Sequence, residues 1–293
     1  MHILESIFYI LSNILLIFSF IIIKKSNEKM NIVHWIFISL ILLFCYNSII
    51  VFMLSSLNIP SYLYILGIIN SCLSGILLKK FKNKKQEYYC KKSDIIATIV
   101  IALITLGVMI ARFGLPFNIA YESCDPAIHF WTAKDFYEQS YLLNKVTDKT
   151  IVNFETRLTG SYTNLGLIFK VVSPLMNDFD LYIIYILFDI WMIFLSGMLF
   201  YILISNTKNK TTFIISLICT IMYFLGYPLN NVIFGFFYSG HAVTIINLIL
   251  ILSKYLYDKK FNKNILIIMF SIIMFGLFFT YYFYAPVVFI SLF

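Results

Sequence analysis

Charged residues are scarce in this sequence, and their scarcity excludes a soluble globular protein. Only 12% of the 293 residues are Asp, Glu, Lys or Arg, whereas 61% are hydrophobic and the mean hydropathy is +0.89. Soluble domains have about a quarter charged and about half apolar residues. The composition therefore predicts an all-α, polytopic integral membrane protein with 8–9 transmembrane helices, since apolar segments in lipid must satisfy their own backbone.

Closely spaced cysteines and a basic face on a folded domain are also missing. The chain has no CxxC motif and no His–Cys spacing, which argues against a disulfide framework or a metal framework. The net charge of +8 lies in short loops between apolar runs, so we expect no nucleic-acid partner. The N-terminal segment lacks the pattern of a cleavable signal, because its first residues are not basic and no small-residue cleavage site follows. The five cysteines are scattered: Cys45, Cys72, Cys90, Cys124 and Cys219.

Eight apolar runs predict membrane spans, and a long region of mixed polarity, Phe113–Asp180, separates the fourth from the fifth. Residues 1–93 are expected to form an N-terminal three-span module, and residues 94–293 a membrane core with an external loop at 113–180. Residues Ala285–Phe293 predict the opening of a ninth span. The eight runs are approximately Ile7–Ile23, Ile32–Leu57, Leu63–Leu78, Ile95–Ile110, Leu181–Ile204, Phe213–Leu225, His241–Leu252 and Ile265–Tyr281.

The lysines predict the orientation of the chain. Lysine clusters follow spans one, three, five and seven, whereas the loops after spans two, six and eight carry no Lys or Arg. Short basic loops stay in the cytoplasm. We therefore expect a plasma-membrane protein with its N-terminus outside and with Phe113–Asp180 on the extracytoplasmic face.

The external region is expected to carry two juxtamembrane helices. Pro126–Leu143 has the pattern of an amphipathic helix lying on the membrane, with Asp125 as its N-cap and His129 one turn later on the same side. Asn164–Met176 is apolar but too short to span, which predicts a second juxtamembrane or re-entrant helix packed on protein. The spacing of Asp125 and His129 is equally consistent with a purely structural role, in which Asp125 only caps the helix and His129 only lies at the membrane interface.

The segment Asp125-Pro-Ala-Ile-His-Phe-Trp-Thr-Ala resembles the first-external-loop motif of the GT-C glycosyltransferases, in their mannosyltransferase-like and lipopolysaccharide-modifying branches. The segment Gly160-Ser-Tyr-Thr-Asn-Leu-Gly-Leu-Ile-Phe-Lys-Val-Val, followed by Leu181–Ile204, resembles their second juxtamembrane helix and second span. The resemblance covers about Ile95–Ile204. It implies a membrane enzyme that transfers a sugar from a polyprenyl-phosphate donor to an extracytoplasmic glycan or lipid acceptor.

The chain departs from the family pattern at two points. Pro126 stands where the family often has a second acid, so no metal ligands are assigned and a divalent metal is left open as a cofactor. Three spans also precede the span that leads into the motif, whereas most of the family has none there.

The implied chemistry assigns roles to several side chains. Asp125 is the candidate general base, Glu122 is a second candidate, and His129 would contact the phosphate, the acceptor or Asp125. Cationic groups would stabilise the departing phosphate, and arginine favours bidentate contacts with it. The candidate donor-phosphate ligands are Arg157, Lys170, Lys134, Arg112 and His241.

Several of these residues also have a purely structural interpretation. Arg112 ends a span and has the position of a snorkelling arginine. His241 begins a span and has the position of a satisfied interfacial histidine. Asp189 lies within span five, where it is either functional or hydrogen-bonded to a neighbouring helix.

Two other classes of protein stay open on the sequence. A transporter or lipid flippase would show inverted repeats and helices broken near the midplane, and no internal repeat is visible. A non-catalytic membrane assembly protein would not need Asp125 at all.

Overall fold

The computed structural model confirms an all-α polytopic membrane protein. It describes residues 2–23, 25–81, 84–115, 117, 125–140, 159–205, 209–234, 236–258 and 261–292. Within them, eight segments are long and apolar enough to cross a membrane: His2–Ile22, Ile32–Ser56, Leu63–Phe81, Lys92–Phe113, Asp180–Ile204, Lys210–Ile233, Phe237–Tyr257 and Lys263–Thr280. These segments correspond to the eight runs predicted from the sequence.

The described elements follow one another along the chain as twelve α-helices and two very short strands. A 3₁₀ turn, Ser173–Leu175, follows the sixth helix. The elements are α1 (His2–Ile22), β1 (Met30–Asn31), α2 (Ile32–Ser56), α3 (Leu63–Phe81), β2 (Tyr88–Tyr89), α4 (Lys92–Phe113), α5 (Asp125–Gln139), α6 (Thr159–Val172), α7 (Asp178–Ile204), α8 (Lys210–Leu225), α9 (Tyr227–Ile233), α10 (Phe237–Tyr257), α11 (Lys263–Thr280) and α12 (Tyr284–Leu292).

The lysine-bearing loops meet at one end of the bundle, which we call the lysine face. Strands β1 and β2 pair in parallel and join the α1–α2 loop to the α3–α4 loop. A bridge between Ser26 and Phe261 adds the α10–α11 loop. Asp94, at the start of α4, accepts hydrogen bonds from the Tyr201 hydroxyl (2.8 Å) and from the Asn31 side chain, which adds the end of α7.

The lysine-free loops meet at the opposite end, which we call the site face. The Ser61 amide, in the α2–α3 loop, donates to the Ser140 carbonyl after α5 at 2.8 Å. The hydroxyls of Tyr227 and Tyr284, which begin α9 and α12, are 2.6 Å apart. This division into two faces matches the predicted alternation of lysine-rich and lysine-free loops.

Helices α5 and α6 form a parallel pair on the site face. The predicted surface helix, α5, packs lengthwise against α6 and ends at Gln139, earlier than expected. Gly166 makes the close approach, since a Cβ there would lie 2.8 Å from the Ala133 carbonyl oxygen and 2.5 Å from the Phe136 ring. Small residues at helix contacts allow such proximity in membrane proteins.

Polar side chains anchor α6 to the membrane-spanning helices behind it. The Asn164 amide nitrogen lies 3.0 Å from the Phe44 carbonyl and 3.1 Å from the Ser48 hydroxyl, both on α2. Gly160 packs directly on Thr280 at the end of α11. Helix α6 is therefore a short helix held inside the protein, as expected for a segment that is too short to span.

Candidate functional site

The starts of α5 and α6 lie side by side. His129 meets Tyr162 and Ala133 meets Gly166, so both contacts have the same offset of 33 residues. The first residues of the two helices, Asp125 and Thr159, are consequently in near register. Helix N-termini carry free N–H groups and the positive end of the helix dipole, which favour anions. The parallel pair thus brings two positive helix ends to one place on the site face.

His129 is buried beside this junction. Its Nδ1 lies 2.7 Å from the Tyr162 hydroxyl. Its ring packs on Phe237 and Tyr238, with centroid distances of 4.8 and 5.0 Å. These contacts fix the imidazole orientation one helical turn after Asp125.

His241 lies on the other side of Phe237, inside the bundle. Its Nδ1 is 2.9 Å from the Ser161 hydroxyl, and its Nε2 is 3.3 Å from Asp189 Oδ1. All three side chains are fully buried. His241 on α10 and Asp189 on α7 are therefore each other's buried polar neighbours, which agrees with the structural interpretation of both residues.

His241 contacts a different polar side chain with each of its ring nitrogens. The Ser161 hydroxyl and His241 Nδ1 share a hydrogen bond, and His241 Nε2 lies within ion-pair distance of the Asp189 carboxylate. These contacts form a buried polar chain of three side chains, Ser161, His241 and Asp189. Because Ser161 has no exposed surface, this chain differs from a hydrolytic triad, whose nucleophile must reach its substrate.

Two consecutive residues of α6 hold both histidines. Ser161 contacts His241 and Tyr162 contacts His129, while Phe237 lies 4.9 Å from the His241 ring. We refer to Ser161, Tyr162, His129, His241, Asp189 and Phe237 as the two-histidine cluster. Ser161, Tyr162 and Phe237 were not predicted as site residues. The signal that could have identified them is the polar run Gly-Ser-Tyr-Thr-Asn at the start of an otherwise apolar helix.

A wall of tyrosines extends from the cluster along the site face. Tyr238 packs on Tyr281 (5.3 Å), and Tyr281 packs on Tyr284 (4.6 Å). The Ser239 hydroxyl lies 3.2 Å from that of Tyr284. Burial raises the pKa of Tyr284 to about 12, so its hydroxyl keeps its proton at neutral pH. The wall combines aromatic rings with hydroxyl groups, a surface suited to a polyol.

Lys170 lies away from this junction, at the opposite end of α5. Its ammonium donates to the Ser140 hydroxyl (2.7 Å) and to the Ser61 carbonyl (3.1 Å). The fifteen residues of α5 separate Ser140 from Asp125 by about 20 Å, at 1.5 Å of rise per residue. The structure therefore does not bring Lys170 together with Asp125.

The other predicted cations occupy different positions. The Lys134 ammonium lies 3.6 Å from Glu138 Oε1 and 4.8 Å from the Trp131 ring centroid. Arg112 is half-buried in the last turn of α4, with its guanidinium carbon 5.5 Å from the Phe113 ring centroid. A nearby carboxylate already balances part of the Lys134 charge.

Three predicted residues fall partly or wholly outside the described residues. Asp125 opens α5, as predicted, but its side chain is outside what the structure describes. Glu122 and Arg157 lie outside the described residues altogether. In the sequence, Glu122 precedes Asp125 by three positions, and Arg157 precedes Thr159 by two.

Comparison with known proteins adds nothing to the geometry of the site. No family model matches the chain, and no curated protein or solved structure matches it. In the part of the chain that the structure describes, no group of three or more His, Cys, Asp or Glu side chains could hold a metal ion.

Proposed function

We propose that the protein is a membrane glycosyltransferase that transfers a sugar from a polyprenyl-phosphate donor to an extracytoplasmic glycan or lipid acceptor. The observation that carries the proposal is the register of α5 and α6, which places two helix N-termini beside His129 and the tyrosine wall. A phosphate is the anion that helix N-termini commonly bind.

Asp125 is the proposed general base. It takes the proton from the acceptor hydroxyl while the bond from that oxygen to the sugar C1 forms and the bond from C1 to the phosphate oxygen breaks. Polyprenyl phosphate leaves with the electron pair. One base is sufficient if the anomeric centre inverts, by analogy with inverting glycoside hydrolysis.

A carboxylate at the start of a helix is a weaker base than a free one, and the proposed reaction can proceed with a weak base. The helix dipole and the free N–H groups favour the ionised form of Asp125. An oxocarbenium-like transition state breaks the bond to phosphate early, so the acceptor proton moves late and a weak base suffices. The same N–H groups are available to the negative charge that develops on the phosphate.

The phosphate ligands of this proposal are the residues nearest the helix starts. His129 lies one turn after Asp125 and is oriented by Tyr162. Arg157 is two positions before α6 in the sequence and would supply a bidentate contact. Lys170 is not among these ligands, because the length of α5 separates it from Asp125.

The tyrosine wall supports a sugar as the transferred group. Tyr238 packs on His129, and Tyr281 and Tyr284 continue the row of aromatic rings and hydroxyls away from it. Aromatic rings supply contact area at low entropic cost, and the Tyr284 hydroxyl stays protonated at neutral pH. A polyol placed there would contact apolar C–H faces and hydroxyl partners together.

A second candidate function, proton-coupled transport, is favoured by the buried Asp189–His241 contact. Ionisable residues within membrane helices mark ion and proton pathways. Short helices that begin inside the protein, such as α6, are also typical of transporters. A transporter would move its lipid-linked substrate intact, without breaking the bond between sugar and phosphate.

Sugar transfer in membranes tests the proposal. Membranes that contain the full chain, and matched membranes without it, are incubated with radiolabelled polyprenyl-phosphate sugars of several kinds. We expect the chain to move label from the donor into glycan or acceptor lipid and to release polyprenyl phosphate. Label that crosses the bilayer still attached to its prenyl phosphate would instead support the transporter, and intact donor on its original side would reject both.

A further inference from the structure

The end of α5 and α6 opposite to Asp125 borders a cavity of about 600 Å³ on the site face. The cavity is lined by the first turn of α1, the start of α3, the ends of α5 and α6, and the residues just after α6. Its lining contains a cation, Lys170, and a carboxylate, Glu5. No residue of the two-histidine cluster lines it.

Lys170 is held at the cavity wall with capacity for another partner. Its ammonium has three N–H donors, and two of them meet the Ser140 hydroxyl and the Ser61 carbonyl. Among the described residues, no carboxylate lies within ion-pair distance of it. A buried ammonium without a counter-ion costs free energy, and burial lowers the pKa of Lys170 to about 8. An anion entering the cavity would remove part of that cost.

Ser140 keeps the cavity wall in place. Its φ of 64° is in the left-handed region, which is unfavourable for serine. Its amide donates to the Phe136 carbonyl, its own carbonyl accepts from the Ser61 amide, and its hydroxyl accepts from Lys170. These three hydrogen bonds hold the unusual conformation and fix the Lys170 ammonium beside the cavity.

A second, smaller groove of about 260 Å³ lies farther along α1 and beside α6, and it shares no lining residue with the cavity. Glu5 lines the cavity, and Tyr9 and Asn13 line the groove, so one face of α1 borders both because these residues are four apart. On α6, Lys170 borders the cavity, and the next residue, Val171, borders the groove. The groove wall is mostly apolar, with aliphatic and aromatic side chains from α1, α2, α6 and α7.

We propose that this cavity and groove bind a zwitterionic phospholipid with a primary ammonium, as in phosphatidylethanolamine. The phosphate would lie at Lys170, the ammonium at Glu5, and an acyl chain in the groove. One cation and one carboxylate in the same cavity complement a zwitterion, whereas Glu5 would repel a purely anionic head group. The proposal does not rest on the glycosyltransferase assignment, since its residues are about 20 Å of helix away from Asp125.

Native mass spectrometry of the purified full chain tests this binding site. The probes are phosphatidylethanolamine, phosphatidylglycerol and a polyprenyl phosphate, each added to delipidated protein. The variants are Lys170→Met and Glu5→Gln, and their matched controls on the lysine face are Lys84→Met and Glu87→Gln, which change exposed residues of the same types. Circular dichroism and size-exclusion profiles establish that each variant is folded.

We expect the wild type to retain phosphatidylethanolamine about tenfold better than phosphatidylglycerol, the size of one charge-assisted contact. Lys170→Met should weaken phosphatidylethanolamine binding by about tenfold, and Glu5→Gln should remove the preference over phosphatidylglycerol while binding persists. Both controls should behave as the wild type. If Lys170→Met does not fold, Glu5→Gln decides alone, because Glu5 is only half-buried.

Two results would overturn the proposal. One is phosphatidylethanolamine binding that Lys170→Met and Glu5→Gln leave unchanged. The other is a wild type that prefers phosphatidylglycerol or the polyprenyl phosphate, which would mean that the cavity recognises anionic lipids.

Discussion

Asp189 and His241 face each other from α7 and α10 inside the helix bundle, with 3.3 Å between Asp189 Oδ1 and His241 Nε2. Both are fully buried, and the other ring nitrogen of His241 reaches Ser161 near the start of α6. The contact thus ties two membrane spans to the short helix that also holds His129 through Tyr162. A substitution at either residue should therefore alter the packing of α6 and, through Tyr162, the position of His129.

The first prediction is that the costs of removing the two partners of this pair are not additive. Asp189→Ala should destabilise the protein by about 3–5 kcal/mol, because His241 would lose its buried counterpart. The double variant, Asp189→Ala with His241→Ala, should cost less than the sum of the two single changes. Thermal or SDS-induced unfolding in mixed micelles measures the three values.

The control for this cycle is Asp258→Asn, at the exposed end of α10. It should change the unfolding midpoint little, since surface substitutions usually have effects within about 0.5 kcal/mol. Additive single and double changes would show that Asp189 and His241 are not coupled, contrary to the geometry.

The second prediction concerns the close contact between α5 and α6. Gly166→Ala places a methyl group 2.8 Å from the Ala133 carbonyl oxygen, so the helices must separate or shift. Overpacking of this kind costs about 1–3 kcal/mol. The matched control is Gly107→Ala, since a Cβ at Gly107 on α4 meets nothing within 4 Å. Gly166→Ala should lower the unfolding midpoint and any transfer activity, and Gly107→Ala should lower neither.

Equal behaviour of the two alanine variants would contradict the parallel packing of α5 on α6. That packing is also what places Asp125 near Thr159. A wild-type-like Gly166→Ala protein would therefore remove the structural support for the active site.

The sequence predicts most of the fold because hydrophobicity governs it. Each long apolar run must become a helix in lipid. The distribution of lysines then predicts which loops lie on the same side of the membrane. The start of α5 at Asp125 is also readable, since Pro126 suits the first helical turn. The apolar run Asn164–Met176, which is too short to span, predicts a second short helix, and the structure places that helix earlier, at Thr159–Val172.

The candidate site is less readable from the sequence because it depends on contacts between distant segments. His129 pairs with Tyr162 across 33 positions, and Ser161 pairs with His241 across 80. No local pattern predicts which side chains will meet. The sequence also does not distinguish a surface helix from one packed on a neighbour, and the glycine contact at Gly166 is what decides the position of α5. Lys170 is a further example. Its isolation in an apolar helix predicts that the ammonium has a partner, but the sequence does not identify Ser61 and Ser140 as the partners.

The third prediction is the orientation of the two faces. In a cysteine-free background that restores only Cys90, on the lysine face, an impermeant thiol reagent added outside should not label the protein. A single cysteine at exposed position Asn230, on the site face, should be labelled under the same conditions. The positive-inside rule gives this direction. External labelling at Cys90 would invert the topology and place the candidate active site in the cytoplasm.

The fourth prediction is the pH dependence of lipid binding at Lys170. Burial lowers its pKa from the usual 10.5 to about 8, so below pH 8 the ammonium is still the main form in the folded protein, and its burial costs stability there. The penalty disappears as the pH rises from about 8 towards 10.5, because the buried lysine then loses its proton while an unfolded one keeps it. Phosphate binding needs the charged form, so phosphatidylethanolamine affinity should fall as the pH rises above about 8.

The comparison with Lys170→Arg isolates this effect from the other titratable side chains of the cavity, His2, Glu5, Tyr62 and Tyr137. Arginine stays charged throughout this range. The variant should therefore lose the pH dependence attributed to Lys170. Identical pH profiles for wild type and Lys170→Arg would assign the effect to another group.

The central claim is that Asp125, at the start of α5, is the base of a sugar transfer, and its most direct test is single-variant kinetics with a radiolabelled polyprenyl-phosphate sugar. Asp125→Asn should keep fold and donor binding and lose turnover by about 2–4 orders of magnitude, the range for removal of a general base. His129→Ala should lose about tenfold to a hundredfold, as expected for a positioning group. Asp135→Asn, on the same helix but away from its start, is the matched control and should turn over normally. An Asp125→Asn protein that transfers sugar as fast as the wild type and Asp135→Asn would contradict the claim and leave α5 as a capped structural helix.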